Sequence, residues 1–364
     1  MLTQKVSIKL PSLDGWRAVS IALVLVCHSC FTAGFPAWLS PILIDWLHIG
    51  TMGVLFFFVI SGFLITYLLL QEQAKHGAIS LKHFYLRRAL RILPVYFFYL
   101  FVLGFLTRYS QPLSIWLANV TFTTNFFGAP EGTAHFWSLG VEEQFYLLWP
   151  GVLMLVLNST KGGKALIKVL TMPLILVPIL RMMSCKNWYP HDLYSLFNSA
   201  SFLLNCDALA YGCLAAVLFT RHRERLQDFL GKSPMATAVS GLGLIITPAI
   251  LQKLHLPTRI GVMITGSSWS VGFGLLLLQS VLWPTRGFYR VLNWKWVRHL
   301  GVLSYSIYIW QQMFCGTGET IFGVKDAWWT SFPIWLATTL LAAHASYYLL
   351  EKPLLGLRAR FRES

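Results

Sequence analysis

Ten stretches of this chain are so apolar that each has only one stable form in lipid: 17–35, 50–70, 93–107, 139–157, 165–183, 198–219, 235–251, 259–282, 300–318 and 331–350. A hydrocarbon core of roughly 30 Å takes about 20 residues of helix. Lipid offers no partner to an unpaired backbone group, so each run must close its own hydrogen bonds. The expected fold is an all-α integral membrane bundle of about ten transmembrane helices. The third run is short, and Pro94 suits its first turn. The stretch 113–138 is half apolar and ends in polar residues, which predicts a partly embedded, re-entrant outer segment rather than a full span. A length of 364 residues would otherwise allow two or three soluble domains. Only 12% of the residues are charged, however, about half the usual share of a soluble domain.

The net charge of +15 would suit nucleic acid if it were gathered on one surface. Instead the basic residues alternate between runs. With the N-terminus cytoplasmic, the inner segments 1–17, 71–92, 158–168, 220–234, 283–299 and 351–364 hold all but six of the 29 Lys and Arg residues. Those six are Arg108, Arg181, Lys186, Lys253, Arg259 and Lys325. The positive-inside rule therefore puts both termini in the cytoplasm and accounts for the charge without nucleic acid. Cys27, Cys30, Cys206, Cys213 and Cys315 lie in apolar runs, and Cys185 lies near a loop. None has metal-ligand spacing, so they read as small buried hydrophobes, with no disulfide and no metal site expected. The first run carries a histidine and has no small-residue cleavage site after it, so no cleavable signal peptide is expected.

An ionisable group in hydrocarbon costs at least about 2.5–3.5 kcal/mol and marks a candidate functional position. His28 lies near the middle of the first run. Arg17 is eleven residues earlier, which at about 100° per residue puts both on one helix face, about 16 Å apart. Asp14 is three residues from Arg17, close enough to pair if the helix starts that early. The histidine is equally open to a structural role, bonded to a neighbouring helix. Arg87, Arg88 and Arg91 cluster before the third run, where anchoring to lipid phosphate competes with a pocket for a phosphate-bearing cytosolic ligand. His135, Ser138, Glu142, Glu143 and Gln144 crowd the outer end of the fourth run among Trp137, Phe145, Tyr146 and Trp149. An aromatic belt does not need two carboxylates. Carboxylates beside aromatics suit sugar hydroxyls and apolar sugar faces, and a structural cap is the competing reading. Asp207, in the sixth run, needs a basic partner or a proton. His344 reads as a satisfied interhelical histidine. Asp45 and His48 belong to an outer loop.

A series of motifs in this order resembles the acyltransferase-3 family of bacterial membrane-bound acyltransferases, over nearly the whole chain. "LDGWRAVSIALVLVCH" is similar to the family's first-span motif, with Arg17 and His28. "GVLFFFVISGFLIT" resembles its second span, with Ser61, Gly62 and Phe63. "FYLRRALRILPVY" carries Arg87, Arg88 and Arg91. "FWSLGVEEQFYLLWP" carries Trp137, Ser138, Glu142, Gln144, Phe145 and Tyr146. "LGVLSYSIYIWQQ" and "YYLLEKPL" resemble the two last spans. The chain departs from the family at Gln311, where many members carry His, and at Asn205, where Arg often precedes the intramembrane Asp. The first departure puts a role for the ninth span in doubt, and the second any partner for Asp207.

The resemblance implies a single membrane-embedded acyltransferase domain over 1–364 in a bacterial cytoplasmic (inner) membrane. Some members carry a fused extracytoplasmic esterase-like domain; this chain, ending at Ser364, is expected to lack one. Family members move acyl groups, usually acetyl from acetyl-CoA, to hydroxyls of envelope polysaccharides such as lipopolysaccharide, of lipid-linked sugars or of macrolides. By that resemblance no cofactor is held permanently, and acyl-CoA is a donor substrate. Its phosphates would meet Arg17, Arg87, Arg88 and Arg91, and its extended arm would bring the thioester to His28. His135, Trp137, Ser138, Gln144 and Tyr146 would shape the site of a carbohydrate or lipid-linked glycan entering from outside. His28 and Glu142 would be catalytic. Histidine suits a base for a sugar hydroxyl because its ordinary pKa of about 6.5 is near working pH; an acyl-imidazole on His28 is the alternative. The rival from another class is a transporter or flippase of a lipid-linked or anionic molecule. A sequence with no pair of Gly/Pro-broken spans in corresponding halves speaks against it. A receptor or scaffold leaves the Arg17–His28 face unexplained.

Overall fold

The computed structural model describes residues 10–105, 107, 110–159, 162–184, 198–254, 258–315, 321–324 and 327–357. Cys185 and Lys186 lie outside them. Among the described residues every regular element is a helix. They are α1 (Leu13–Ser29), α2 (Ile49–His76), α3 (Leu81–Phe105), α4 (Leu113–Val120), α5 (Thr124–Phe127), α6 (Phe136–Asn158), α7 (Gly162–Ser184) and α8 (Phe202–Arg221). There follow α9 (Arg223–Lys232), α10 (Pro234–Lys253), α11 (Thr258–Leu282), α12 (Tyr289–Leu292), α13 (Lys295–Phe314) and α14 (Ile334–Ser346). A π-helical turn, Tyr347–Glu351, joins α14 to α15 (Lys352–Leu357).

Each of the ten apolar runs falls on a long helix. Six helical stretches, Ile49–His76, Leu81–Phe105, Gly162–Ser184, Phe202–Arg221, Pro234–Lys253 and Ile260–Leu282, are long and apolar enough to cross a membrane. The chain is thus a multi-pass membrane protein. Helices α1 and α14 are shorter, and α6 and α13 carry more polar side chains.

Helix α2 is the hub, packed on α1, α6, α8 and α11. It crosses α8 at backbone contact. A Cβ on Gly62 would lie 2.0 Å from the Leu209 carbonyl oxygen, and one on Gly212 would lie 2.1 Å from that of Val59. Lipid tails are as apolar as leucine, so helices in a bilayer associate through close packing and hydrogen bonds rather than through escape from water. The two glycines permit that packing. Helix α1 packs on α2 and α13, and α13 packs on α14. Helix α10 packs on α11 and leaves Met235, Val239, Leu242, Ile246 and Ile250 exposed, the face expected toward lipid.

Two boundaries differ from the sequence expectation in ways that matter for the site. Helix α1 begins at Leu13, so Asp14 and Arg17 are both helical, yet they form no ion pair. Helix α3 begins at Leu81, twelve residues before the apolar run, with Pro94 inside it rather than in its first turn. A proline inside a helix frees one carbonyl, which neighbouring groups in a bundle can satisfy. Arg87, Arg88 and Arg91 therefore stand within the helix rather than before it. The stretch 113–138 forms the short helices α4 and α5 and the start of α6. The Tyr96 hydroxyl pins it by donating to the Asn119 carbonyl at 2.8 Å.

Candidate active site

Helices α1, α2, α3, α6 and α13 line a partly open cavity of about 750 Å³, the open space at its mouth included. Side chains three or four residues apart on a helix share a face, and the wall is built from such stripes. Helix α6 contributes Ser138, Glu142 and Tyr146, with Glu143 beside them; α3 contributes Arg88 and Arg91; α13 contributes Ser304, Tyr305 and Tyr308. Arg17 of α1 and Ser61 of α2 complete the polar lining. The arginines and Glu142, expected toward opposite faces of the membrane, thus line one chamber.

A short relay runs through the carboxylate. The Tyr146 hydroxyl donates to Ser61 Oγ at 3.1 Å, and Ser61 Oγ donates in turn to Glu142. The Arg88 guanidinium lies 4.4 Å from the centre of the Tyr146 ring, within cation–π range. Arg17 and Arg88 are near enough to Glu142 for their charges to interact with it. Among the described residues, however, no ion pair joins either arginine to Glu142 or Glu143. A guanidinium held apart from a carboxylate keeps its planar fork of donors for phosphate or carboxylate oxygens.

His28 does not line this cavity. It sits eleven residues beyond Arg17 on α1, with Nδ1 3.0 Å from Gln311 Oε1 of α13. His135, buried at the start of α6, places Nε2 3.2 Å from the Ile309 carbonyl oxygen. Between this histidine level and the cavity, Ser138 Oγ and the Tyr308 hydroxyl lie 2.5 Å apart. Tyr308 also donates to the His135 carbonyl at 3.0 Å.

Three other residues singled out in the sequence lie elsewhere. Arg87 leaves the cavity wall for Glu72 of α2, 3.0 Å away. Gln144 falls on another stripe of α6, where its amide donates to Asn125 Oδ1 at 2.9 Å and to the Phe122 carbonyl at 3.3 Å. It holds the α4–α5 segment in place. Trp137, seven residues before Gln144, meets Phe58 edge to face with ring centres 6.2 Å apart. The sequence motifs contain Ser61, Ser304, Tyr305 and Tyr308 but point to no role for them. The four-residue spacing of Ser304 and Tyr308 is a signal for those two; nothing local marks Ser61 or Tyr305.

The intramembrane Asp207 has a partner after all, from another helix. Arg181 of α7 forms two parallel bonds to it, NH1 to Oδ2 at 2.9 Å and NH2 to Oδ1 at 2.6 Å. His344 faces His299 of α13, Nε2 to Nε2 3.3 Å, so it is an interhelical histidine as expected. The described cysteines are free; Cys213 and Cys315 are buried, while Cys27, Cys30 and Cys206 are partly exposed.

Comparison with known proteins adds the chemistry of relatives. The model of the acyltransferase-3 family, described as an acyltransferase domain, matches residues 10–351. The peptidoglycan O-acetyltransferase OatA of Listeria monocytogenes is 25% identical over 369 residues, covering 94% of this chain and 55% of the relative. The putative peptidoglycan O-acetyltransferase YrhL of Bacillus subtilis is 23% identical, covering 95% and 55%. The O-acetyltransferase OatA of Staphylococcus aureus strain NCTC 8325 is 25% identical, covering 95% and 57%. The chain thus spans little more than half the length of these curated relatives. No solved structure matches it.

Proposed function

This chain belongs to the acyltransferase-3 family, and from that premise we propose that it is a membrane-embedded O-acyltransferase. It takes an acyl group, most simply acetyl, from cytosolic acyl-CoA and places it on a hydroxyl of an envelope carbohydrate. The names of its relatives favour a peptidoglycan-type acceptor. All ten long helices cross a bacterial cytoplasmic (inner) membrane, with both termini in the cytoplasm, as the distribution of Lys and Arg favours.

One observation carries this reading: Arg17, Arg88 and Arg91 share a single interior cavity with Glu142, Tyr146 and Ser138. In the proposed complex the three arginines hold the phosphates of the donor, and Arg87 steadies α3 through Glu72. The donor's flexible arm runs outward along α6 and α13. It parts the Ser138–Tyr308 contact and delivers the thioester to the level of His28. There the acceptor oxygen attacks the thioester carbon, and His28 Nε2 takes the hydroxyl proton. The C–S bond breaks, and the departing thiolate recovers that proton as CoA–SH. Glu142 fixes Ser61 and Tyr146 and balances the charge of the arginine wall. His135 and the outer end of α6 border the acceptor's entry; Trp137 and Gln144 support that border.

The test is transfer from radiolabelled acetyl-CoA to solubilised peptidoglycan fragments by purified protein in detergent. A positioned base contributes on the order of 10²–10⁴-fold, so His28→Ala is expected to lose transfer by that factor while CoA binding persists. Transfer by His28→Ala at the wild-type rate would return the histidine to a structural role. Label retained on wild type but not on His28→Ala, after incubation with donor alone, would replace the direct route with an acyl-histidine.

A further inference from the structure

Gln311 is fully buried on α13, on the turn that also buries Ile307, Tyr308 and Trp310. Its Oε1 lies 3.0 Å from His28 Nδ1. Its Nε2 has no hydrogen-bond partner, and neither does His135 Nδ1 or Gln312 Oε1 nearby. A buried amide donor left unpaired is costly, and an apolar side chain of equal volume would avoid that cost. Packing alone therefore gives no reason for an amide at this position, whereas the bond to His28 does.

The direction of that bond decides what His28 can do. In a neutral imidazole one nitrogen carries the proton and the other carries a lone pair. The carbonyl of Val24, one turn back on α1, is the ring's second polar neighbour, and a carbonyl only accepts. The same protein shows the local form of this contact at His344, whose Nδ1 lies 2.9 Å from the Leu340 carbonyl oxygen four residues earlier. Gln311 Oε1 at Nδ1, with an accepting carbonyl beside the ring, calls for the proton on Nδ1. The lone pair is then on Nε2. With the amide reversed, Nδ1 would accept, Nε2 would carry the proton, and the ring could not serve as a base.

We propose that Gln311 is a positioning residue for the transfer reaction: its Oε1 accepts the hydrogen of His28 Nδ1, which sets the imidazole tautomer and turns the Nε2 lone pair toward the acceptor hydroxyl. The inference rests on the reading of His28 as the base. When Nε2 takes the acceptor's proton, the imidazolium keeps its Nδ1–H bond to Gln311, and the amide oxygen dipole opposes the new positive charge. The proton then leaves from Nε2 to the CoA thiolate, and the ring returns to the tautomer in which it began. Gln311 touches neither donor nor acceptor.

The experiment has three parts, all on the full chain in detergent with labelled acetyl-CoA and solubilised peptidoglycan fragments. Gln311→Leu, close in volume but without an acceptor, is expected to lose about tenfold to a hundredfold in kcat, a fraction of what a positioned base supplies. Its KM for acetyl-CoA is expected to stay near the wild-type value. Gln311→Glu keeps an oxygen at the same reach and is expected to recover most of the loss. The wild-type protein with ¹⁵N-labelled histidine, His28 being assigned by difference from His28→Ala, is expected to show a neutral ring protonated on Nδ1. This last measurement needs no folded Gln311 variant. A ring protonated on Nε2, wild-type turnover by Gln311→Leu, or equal losses in the Leu and Glu variants would each overturn the proposal. If His28→Ala is inactive while Gln311→Leu is not, only this inference fails; if His28→Ala still transfers, the reading beneath it fails.

Discussion

Two places where arginine and carboxylate meet in the interior of this bundle are built in opposite ways. Between α7, α8 and α11, Arg181 and Asp207 are joined by two parallel bonds. Ser267 donates to the same carboxylate at 3.0 Å, and the Leu204 carbonyl accepts twice from the guanidinium. Gly266 leaves the room: a Cβ there would lie 2.6 Å from Arg181 NH1. The result is a closed, neutral staple linking three helices. Around the cavity between α1, α3 and α6, by contrast, Arg17 and Arg88 stand near Glu142 and Glu143 without pairing to them. The same pairing of side-chain chemistries thus gives a clasp in one place and, in the reading proposed here, an anion cradle in the other. What separates them is whether each fork of donors already faces a fork of acceptors.

The sharpest way to break this comparison is Asp207→Ala. Removing one partner of a buried pair leaves an uncompensated charge, at a cost of about 3–5 kcal/mol. Thermal unfolding in detergent is expected to show that loss, with CoA affinity of the remaining folded protein unchanged. A normal melting curve with lost CoA binding would move the staple into the functional site.

Arg88→Ala should do the reverse. A hydrogen bond to a charged group is worth about 1.5–3 kcal/mol, so the dissociation constant for CoA is expected to rise roughly tenfold to a hundredfold. The melting temperature should not fall. Arg88→Lys keeps the charge without the planar fork and should recover only part of the affinity. Titration calorimetry with CoA reads both. Unchanged binding in Arg88→Ala would make the arginine wall an anchor rather than a cradle.

The smallest effect is expected at Arg87. Its bridge to Glu72 is partly exposed, and such pairs contribute about 0.2–1 kcal/mol. Arg87→Ala should shift the melting curve slightly and leave CoA affinity alone. A loss of affinity as large as that of Arg88→Ala would put all three cluster arginines back on the donor.

Much of this was legible in the chain before any coordinates. Hydrocarbon forces every backbone group to be satisfied within its own segment, so ten apolar runs could only be helices, and each falls on one. The spacing of Arg17 and His28 does put them on one face of α1, and His344 does meet another helix. The spacing of Ser138, Glu142 and Tyr146 already placed those side chains on one stripe, because helical periodicity is local. Hydropathy alone could not locate the start of α3: it marks where lipid contact begins, whereas the helix extends back through Arg87, Arg88 and Arg91, the last two lining the cavity. For the same reason the sequence points the arginines and Glu142 toward opposite faces of the membrane.

What only the tertiary structure decided is which stripes face one another. Nothing local tells Arg181, twenty-six residues from Asp207, that it will close on that carboxylate, or Gln311, 283 residues from His28, that it will face that ring. Nothing local separates Arg88, aimed at a cavity, from Arg87, which turns to Glu72. Local sequence sets the azimuth of each side chain on its own helix, because 3.6 residues make a turn whatever surrounds it. The neighbour across the interface follows from how whole helices pack, with Gly62 and Gly212 admitting α8 against α2 and the other helices arranged around them. The pairing of polar groups is a consequence of that packing, and so the difference between clasp and cradle appears only in the folded bundle.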